Sequence, residues 1–422
     1  NFSPIGPSIL IALVGVATVF LVWLVSREWF GREGAKAAAI LYAIAPTVII
    51  YSRASWNPNI MPFFALLSIY SIWRVWQNQE SKWLIVIGVC IAFVLQSHYL
   101  GLLLIPTLGI FWILTFYKLR QGKINPKYHI RYTIYGAILF GLLMSPLVIF
   151  DFRHNFINYN AIKLFFTERQ TTVSARPWSA LPNIWPLLQD VATRLLAGRN
   201  EWLGSWVSVG MVASLLLLIK SERFKLQDRS LKALILIFIW LGVSLVGLGV
   251  YKQHIYDHYY GFFFPAPFLL FAGVAQTLIT RAKIRGLWLV STAMVFLVYF
   301  NMLDNPLQYP PNRQLQRSVE VANKIKNEAS GQKFNLAVIA ERNYEDAYQY
   351  FLERDKAGVV DIDPLNYKAT RTNQLFVVCE MPMEKCNPTN SPKAEVANFG
   401  WSKIEEDWEV MGVTIFKLVP AQ

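Results

Sequence analysis

Four short stretches hold the residue types that could do chemistry in an otherwise apolar chain. In YSRASWNPN, residues 51–59, Arg53 offers a planar, always-charged fork suited to a phosphate, and Asn57 and Asn59 add neutral donors and acceptors. Pro58 suits the first turn of the helix that follows. An arginine at a helix end also reaches back to lipid headgroups, so both readings of Arg53 stand. QSHYLG, residues 96–101, contributes His98, either a donor or proton acceptor near neutral pH or a hydrogen-bonded turn residue. FDFRHNF, residues 150–156, sets Asp151, Arg153 and His154 side by side. They have the parts for proton transfer or for gripping a charged headgroup, and equally for an Asp151–Arg153 pair that neutralises itself. In KQHIYDHYYGFFFP, residues 252–265, His254 and His258 stand four apart, which on a helix puts both on one face beside Asp257. Without a glutamate between them or a clear third ligand, no metal is assigned. Tyr256, Tyr259 and Tyr260 suit an aromatic belt at a membrane surface, and that belt is the alternative reading of the whole stretch.

The elements that must position these residues follow from composition. Of 422 residues, 54% are hydrophobic and 16% charged, against about 25% charged in soluble domains. With a mean hydropathy of +0.34, the chain reads as a mainly α, polytopic transmembrane helical bundle. Its net charge of +13 is uneven: residues 1–303 hold 26 basic and 10 acidic residues, residues 304–422 hold 14 and 17. The positive charge forms no continuous soluble face, which argues against a nucleic-acid partner. Three cysteines exclude a disulfide-rich scaffold and a zinc ribbon. Cys90 lies in an apolar segment as a small hydrophobe, while Cys379 and Cys386 pair across a short loop if that region faces an oxidising compartment.

A bilayer core about 30 Å thick needs roughly 20 apolar residues per helix. Ten segments fit: residues 9–25, 35–50, 59–77, 83–97, 99–117, 132–150, 203–219, 232–250, 259–279 and 286–303. Only a short polar turn divides the fourth from the fifth, so one long kinked helix is the competing reading there. Five alternate loops hold 18 basic residues, Lys123, Arg223 and Lys225 among them, whereas the opposite short loops hold only Arg53 and Lys252. Lys and Arg in short loops stay cytoplasmic, which places residues 151–202 and everything after residue 303 outside the cell membrane. It also places residue 1 outside without a leader, so an eleventh span and a first outer loop are expected upstream.

Two domains are expected: a transmembrane domain over residues 1–303 with an outer loop at 151–202, and a small extracytoplasmic α/β domain over residues 304–422. Within the loop Trp185, Leu187, Leu188, Val191, Leu195 and Leu196 recur at helical spacing opposite Gln189, Asp190 and Arg194. Such a helix either lies flat in the interface or packs on the spans. In the tail, helices are expected at 313–329 and 344–356, strands at 334–340 and 374–380, and a closing pair at 403–408 and 412–418. No phosphate loop or metal loop appears there, and no internal repeat points to a transporter built from two halves.

YSRASWNPNIMPFFALLSIY, preceded by SREWFGREGAKAAAILYAIAP, resembles the GT-C class of membrane glycosyltransferases. Bacterial members of the dolichyl-phosphate-mannose protein mannosyltransferase and aminoarabinose transferase superfamily (glycosyltransferase family 39-like) are the nearest in pattern. SHYLG, FDFRHNF and DHYYGFFFPAP are similar to that group too, and their order agrees. The resemblance covers most of residues 1–303 and implies transfer of a sugar from a polyprenyl-phosphate carrier to an envelope lipid, glycan or protein acceptor, without a metal or other cofactor. The family's acidic residue lies in its first outer loop. NFSPIGPSIL resembles the end of that loop, and no Asp or Glu precedes Glu28, so the catalytic carboxylate is expected upstream of residue 1. For this chemistry Arg53, His98, Arg153 and His258 are the candidates for holding phosphate, with Asn57, Asn59, Asp151 and His154 beside them. Trp56 and Tyr259 line the sugar or isoprenoid path. The alternatives are a flippase for lipid-linked sugars, and a membrane-anchored sensory protein presenting its tail.

Overall fold

The computed structural model describes residues 3–122, 126–167, 172–174, 176–220, 229–341 and 343–421. Lys123, Arg223, Lys225 and part of the loop 151–202 fall outside the described residues. Two compact units divide at residue 308.

The first unit is helical: α1 (Ile5–Trp29), α2 (Arg32–Ile44), α3 (Pro46–Tyr51), α4 (Met61–Asn78), α5 (Trp83–Ser97), α6 (Leu104–Gln121), α7 (Lys127–Arg153), α8 (Ile157–Thr167), α9 (Leu181–Leu195), α10 (Glu201–Lys220), α11 (Arg229–Gly249) and α12 (Pro265–Leu303). Among the described residues, five helical stretches are long and apolar enough to cross a bilayer: Ile5–Trp29, Tyr99–Gln121, Lys127–Arg153, Arg229–Gly249 and Pro265–Leu303. Two shorter apolar helices accompany them, and the chain is a multi-pass membrane protein. Outward-facing Leu10, Leu13 and Val16 on α1 and Ile134, Ile138 and Leu142 on α7 are exposed, as an apolar surface meeting lipid requires. Inside, Trp29, Trp73, Trp240, Tyr42, Phe111 and Phe268 are fully buried.

The segment expected as one span at 35–50 is two helices, because Ala45 (φ −62°, ψ 122°) is held extended by the ring of Pro46. The fourth and fifth segments are separate helices, broken at His98 (φ −163°, ψ 139°). In α12, Lys283 (φ 48°, ψ −121°) turns the chain back on itself, so sharply that a Cβ on Gly286 would sit 2.0 Å from the Leu278 carbonyl. The ninth and tenth segments are the two arms of that hairpin. Helix α9 packs on α10 and α11 and buries Leu187, Leu188, Val191 and Leu195, which decides its expected placement in favour of packing on the spans. Trp185, counted on its apolar face, is exposed.

At the end of the unit where α1 and α4 finish and α11 begins, Glu28 accepts from Tyr70 Oη (2.6 Å) and from Arg229. Arg74 reaches Glu80 at 2.8 Å and lies 3.8 Å from Glu28. The pairs are partly exposed and individually worth about 0–1 kcal/mol, so their effect is to fix which helices meet.

The second unit contains α13 (Gln314–Glu328), β1 (Asn335–Ile339), α14 (Asp346–Arg354), α15 (Tyr367–Thr370), β2 (Leu375–Cys379), α16 (Ala394–Phe399), β3 (Ser402–Val410) and β4 (Val413–Pro420). The sheet order is β1-β2-β4-β3, with β1 and β2 parallel in register Asn335↔Leu375 and the remaining pairs antiparallel. One sheet face packs on α13 and α14 through Val321, Ile325, Tyr348 and Phe351; the other packs on α16 through Val396 and Phe399. Because both faces are covered, β1 and β2 are buried at every position and read as continuous apolar runs. Cys379 at the end of β2 is disulfide-bonded to Cys386, seven residues on.

Helices α5 and α7 approach so closely that a Cβ on Gly88 would lie 2.1 Å from the Gly136 carbonyl oxygen. Small residues permit such contacts between helices in a membrane. Gly88→Ala is expected to cost about 1–3 kcal/mol through overpacking, read as a lowered thermal midpoint in detergent; an unchanged midpoint would mean that the crossing is looser than described.

Candidate functional site

Three short 3₁₀ turns meet at one end of the helical unit: Asn57–Ile60, Tyr99–Leu103 and Asp257–Phe263. Each follows a residue in extended conformation (Trp56, His98 and Tyr256), which releases the chain from the preceding segment and turns a polar or aromatic side chain outward. Together they assemble a patch of rings. Trp56 and His258 have centroids 4.4 Å apart, His98 and Tyr259 4.9 Å, His98 and His258 5.7 Å, and Tyr51 and Trp56 6.3 Å. Four of the sequence candidates, Trp56, His98, His258 and Tyr259, are thereby brought together.

His98 Nδ1 accepts from the Leu100 N–H at 3.2 Å, so the ring also closes its own turn, as the structural reading of that residue expected. Burial, and secondarily the neighbouring His258, push its pKa down to about 4. Burial lowers His258 as well, opposed by the Asp257 carboxylate. Residues 252–256 are not helical, so the spacing of His254 and His258 does not put them on one helical face. Among the described residues no group of three His, Cys, Asp or Glu is placed to hold a metal.

Next to the rings lies a cavity of about 850 Å³ whose lining includes Tyr51, Asn183, Asp190, Arg194, Asp257 and Tyr260. One wall is made where residues 172–174 pair with the end of α11: Val173 bridges Tyr251, and Ser174 N donates to Val250 O at 2.8 Å. A chain of ion pairs crosses this region. Arg194 Nε lies 3.3 Å from Asp190 Oδ1 and 3.7 Å from Asp257 Oδ1, and Arg199 Nη2 lies 3.2 Å from Asp257 Oδ2. Arg199 Nε approaches Asp304 at 3.7 Å, and Tyr260 Oη donates to Asp190 Oδ2. Gly198 (φ +56°) makes the Arg199 position possible, since a Cβ there would meet the Phe300 carbonyl at 2.3 Å. Thr47 Oγ1 donating to Arg194 O and Asn301 Nδ2 donating to Leu196 O, both at 2.7 Å, tie the end of α9 to α3 and the residue after it to α12.

Arg53 is exposed two residues past Tyr51, with no side-chain partner among the described residues. Asn57 is exposed at the start of its turn, while Asn59 is buried, donating to Ala54 O at 2.6 Å with its Oδ1 unpartnered. The third stretch stands apart. Asp151 accepts from Asn158 N (2.7 Å) and Tyr159 N (2.9 Å) and so caps α8; His154 Nδ1 contacts Phe150 O at 2.8 Å. Arg153 is exposed and forms no ion pair with Asp151, so the mutual neutralisation allowed by sequence is not realised. No described hydrogen bond, ion pair or ring contact joins Asp151, Arg153 or His154 to the aromatic patch. Sequence reading passed over Arg199 entirely and did not connect Asp190, Arg194 and Asp257; the Asp190–Arg194 spacing on one helix was the only local signal.

Residues 5–150 match the family model described as dolichyl-phosphate-mannose-protein mannosyltransferase. The fold is that of the GT-C class of membrane glycosyltransferases. Among solved structures the chain is similar to ArnT from Cupriavidus metallidurans bound to undecaprenyl phosphate, at 11% identity and a TM-score of 0.55 over 97% of this chain and 83% of that one. It is likewise similar to apo ArnT from the same organism, at 11% identity and a TM-score of 0.52 over the same shares. No curated protein matches the chain.

The lowered His98 pKa carries a sign. Between about 6.5 and about 4 the unfolded state binds the proton that folded His98 refuses, so stability falls as pH falls through that window and levels off below it. His98→Gln is expected to flatten part of this slope in thermal midpoints taken from pH 7 to 4. An identical slope in wild type and variant would show that other groups carry it.

Proposed function

We propose that the chain is a glycosyltransferase that moves a sugar from a polyprenyl-phosphate donor to an acceptor of the cell envelope, at the polar cavity and its aromatic rim. The observation that carries this reading is the junction of the 850 Å³ cavity, Arg194 in its wall and a cluster of flat rings, at the ends of GT-C-type helices. The relative with undecaprenyl phosphate bound supports a polyprenyl phosphate as the lipid.

Negative charge develops on the departing phosphate in such a displacement, so fixed cations aimed at it are the expected source of rate. Arg53 has no side-chain partner among the described residues, whereas Arg194 and Arg199 are held in place by Asp257. We assign Asp190 and Asp257 to positioning: both are engaged by arginine or tyrosine and present no free pair of oxygens to an acceptor hydroxyl. Trp56, Tyr259 and His258 offer faces on which a sugar ring can lie, with the imidazoles of His98 and His258 neutral near pH 7. The ten segments 9–25 to 286–303, that at 35–50 as the broken pair α2 and α3, are the proposed spans, and the loop charges favour the cavity, residues 151–202 and the C-terminal unit on the extracytoplasmic side of the cytoplasmic membrane. Asp151, Arg153 and His154 have no part in the proposed site.

Arg53→Ala is expected to weaken binding of undecaprenyl phosphate to the detergent-solubilised chain by about ten- to a hundredfold, as loss of a charge-assisted bond does. Arg194→Ala should do so too. Equal binding by Arg53→Ala would remove that residue from the site, and failure of the wild type to bind would reject the reading.

Sidedness has its own check. Trp401 is 91% exposed in the second unit, so a membrane-impermeant thiol reagent should label Trp401→Cys in spheroplasts without permeabilisation. Labelling only after lysis would turn the molecule over.

A further inference from the structure

The C-terminal unit contains a second crevice, unrelated to the cavity among the helices. After β1 the chain crosses to the sheet face covered by α13 and α14; after β2 it leaves toward the opposite face, covered by α16. Adjacent parallel strands whose connections part in this way leave a gap outside their carboxyl ends, where ligands of open α/β sheets bind. A cavity of about 600 Å³ occupies that place. Glu341 and Asn343 line it from beyond β1, Glu380 and Lys385 from beyond β2, and Gln314 and Arg317 from the first turn of α13.

Glu380 is set rigidly. Its Oε1 accepts from Asn343 Nδ2 at 2.8 Å and from Tyr348 Oη, which leaves Oε2 without a partner among the described residues. The side chains of Arg317, Lys385, Glu341 and Gln314 are likewise unpartnered there. Among the described lining residues two cations and two carboxylates balance, so these side chains offer donors and acceptors in alternation. A phosphate would face both carboxylates, and no glycine lines the cavity to let backbone amides cradle it. A neutral ligand carrying several hydroxyls, each able to donate and accept, satisfies every one of these groups.

We propose that this crevice binds a neutral pyranose unit of a glycan, through hydroxyl donation to Glu380 Oε2 and Glu341 and acceptance from Arg317 and Lys385. The choice of a sugar over other neutral polar ligands rests on the glycosyltransferase reading; the crevice itself does not.

The test is ligand-observed saturation-transfer NMR on the full chain in detergent, with methyl α-D-mannopyranoside, methyl β-D-glucopyranoside and methyl β-D-galactopyranoside as separate probes. At least one should bind, and Glu380→Gln, which keeps the acceptor for Tyr348 and Asn343, should weaken it tenfold or more. Arg317→Ala, a side chain without a protein partner, replaces it should Glu380→Gln fail to fold. Binding of none of the three glycosides, or equal binding by the folded variant, overturns the proposal, as does inorganic phosphate displacing the bound glycoside. Undecaprenyl phosphate binding is measured on the same samples. Its retention without glycoside binding defeats only the crevice, and its loss in the wild type defeats the glycosyltransferase reading.

Discussion

In hydrocarbon a backbone N–H or C=O without a partner costs several kcal/mol. That constraint decides where this molecule can hold chemistry. Within α1, α7, α11 and the arms of α12 the backbone is helical, and the side chains toward lipid are predominantly apolar. Irregular backbone is tolerated only where helices stop. The three 3₁₀ turns, the loop around Gly198 and the strand-like pairing of Val173 with Tyr251 all occur at such ends. Polar and aromatic residues gather there for the same reason, so the position of the cavity follows from the solvent before any question of substrate.

What keeps those ends in register is charge. Asp190, Arg194, Asp257, Arg199 and Asp304 alternate in sign and come from α9, the loop after it, the turn before α12 and the end of α12. Each pair is partly exposed and weak alone. Linked through the shared carboxylate of Asp257, they restrict four segments at once, and they leave both arginine planes aimed across the same carboxylate. The Glu28, Arg74, Glu80 and Arg229 cluster joins other helices in the same manner, against the rings of Tyr70, Trp73 and Trp83. Arg53 differs from these arginines in having no side-chain partner among the described residues.

The long apolar segments were legible because lipid imposes both a length and a composition, and the tail elements because two-period and 3.6-period patterns differ over a few residues. The hairpin at Lys283 and the break at His98 were legible from the polar turns between apolar runs. The site was only partly so. Trp56, His98, His258 and Tyr259 could be named from type, but nothing local says that turns separated by about 150 residues meet. Arg199 is 58 residues from its partner Asp257, and its placement depends on a glycine backbone angle that sequence alone does not reveal. Asp151 misled in the other direction: beside a cation and an imidazole it reads as chemistry, yet it is spent on the N-terminus of α8, a helix whose start sequence left unmarked.

The low identity to ArnT has a physical source in the same constraint. A side chain facing lipid need only be apolar, and one facing another helix need only keep the volume that sets the approach, as Gly88 and Gly136 do. Substitutions of one apolar residue for another therefore accumulate with little cost, and an identity of 11% is compatible with a shared arrangement over 97% of this chain. Helix ends are less free. Moving one relative to the bilayer exposes backbone to hydrocarbon, so the position of a polar turn is more tightly constrained than the identity of the apolar residues between turns. Correspondence between distant members of such a fold is accordingly best sought at the helix ends, among groups such as Arg53, Trp56, Arg199 and Asp257, and least along the spans.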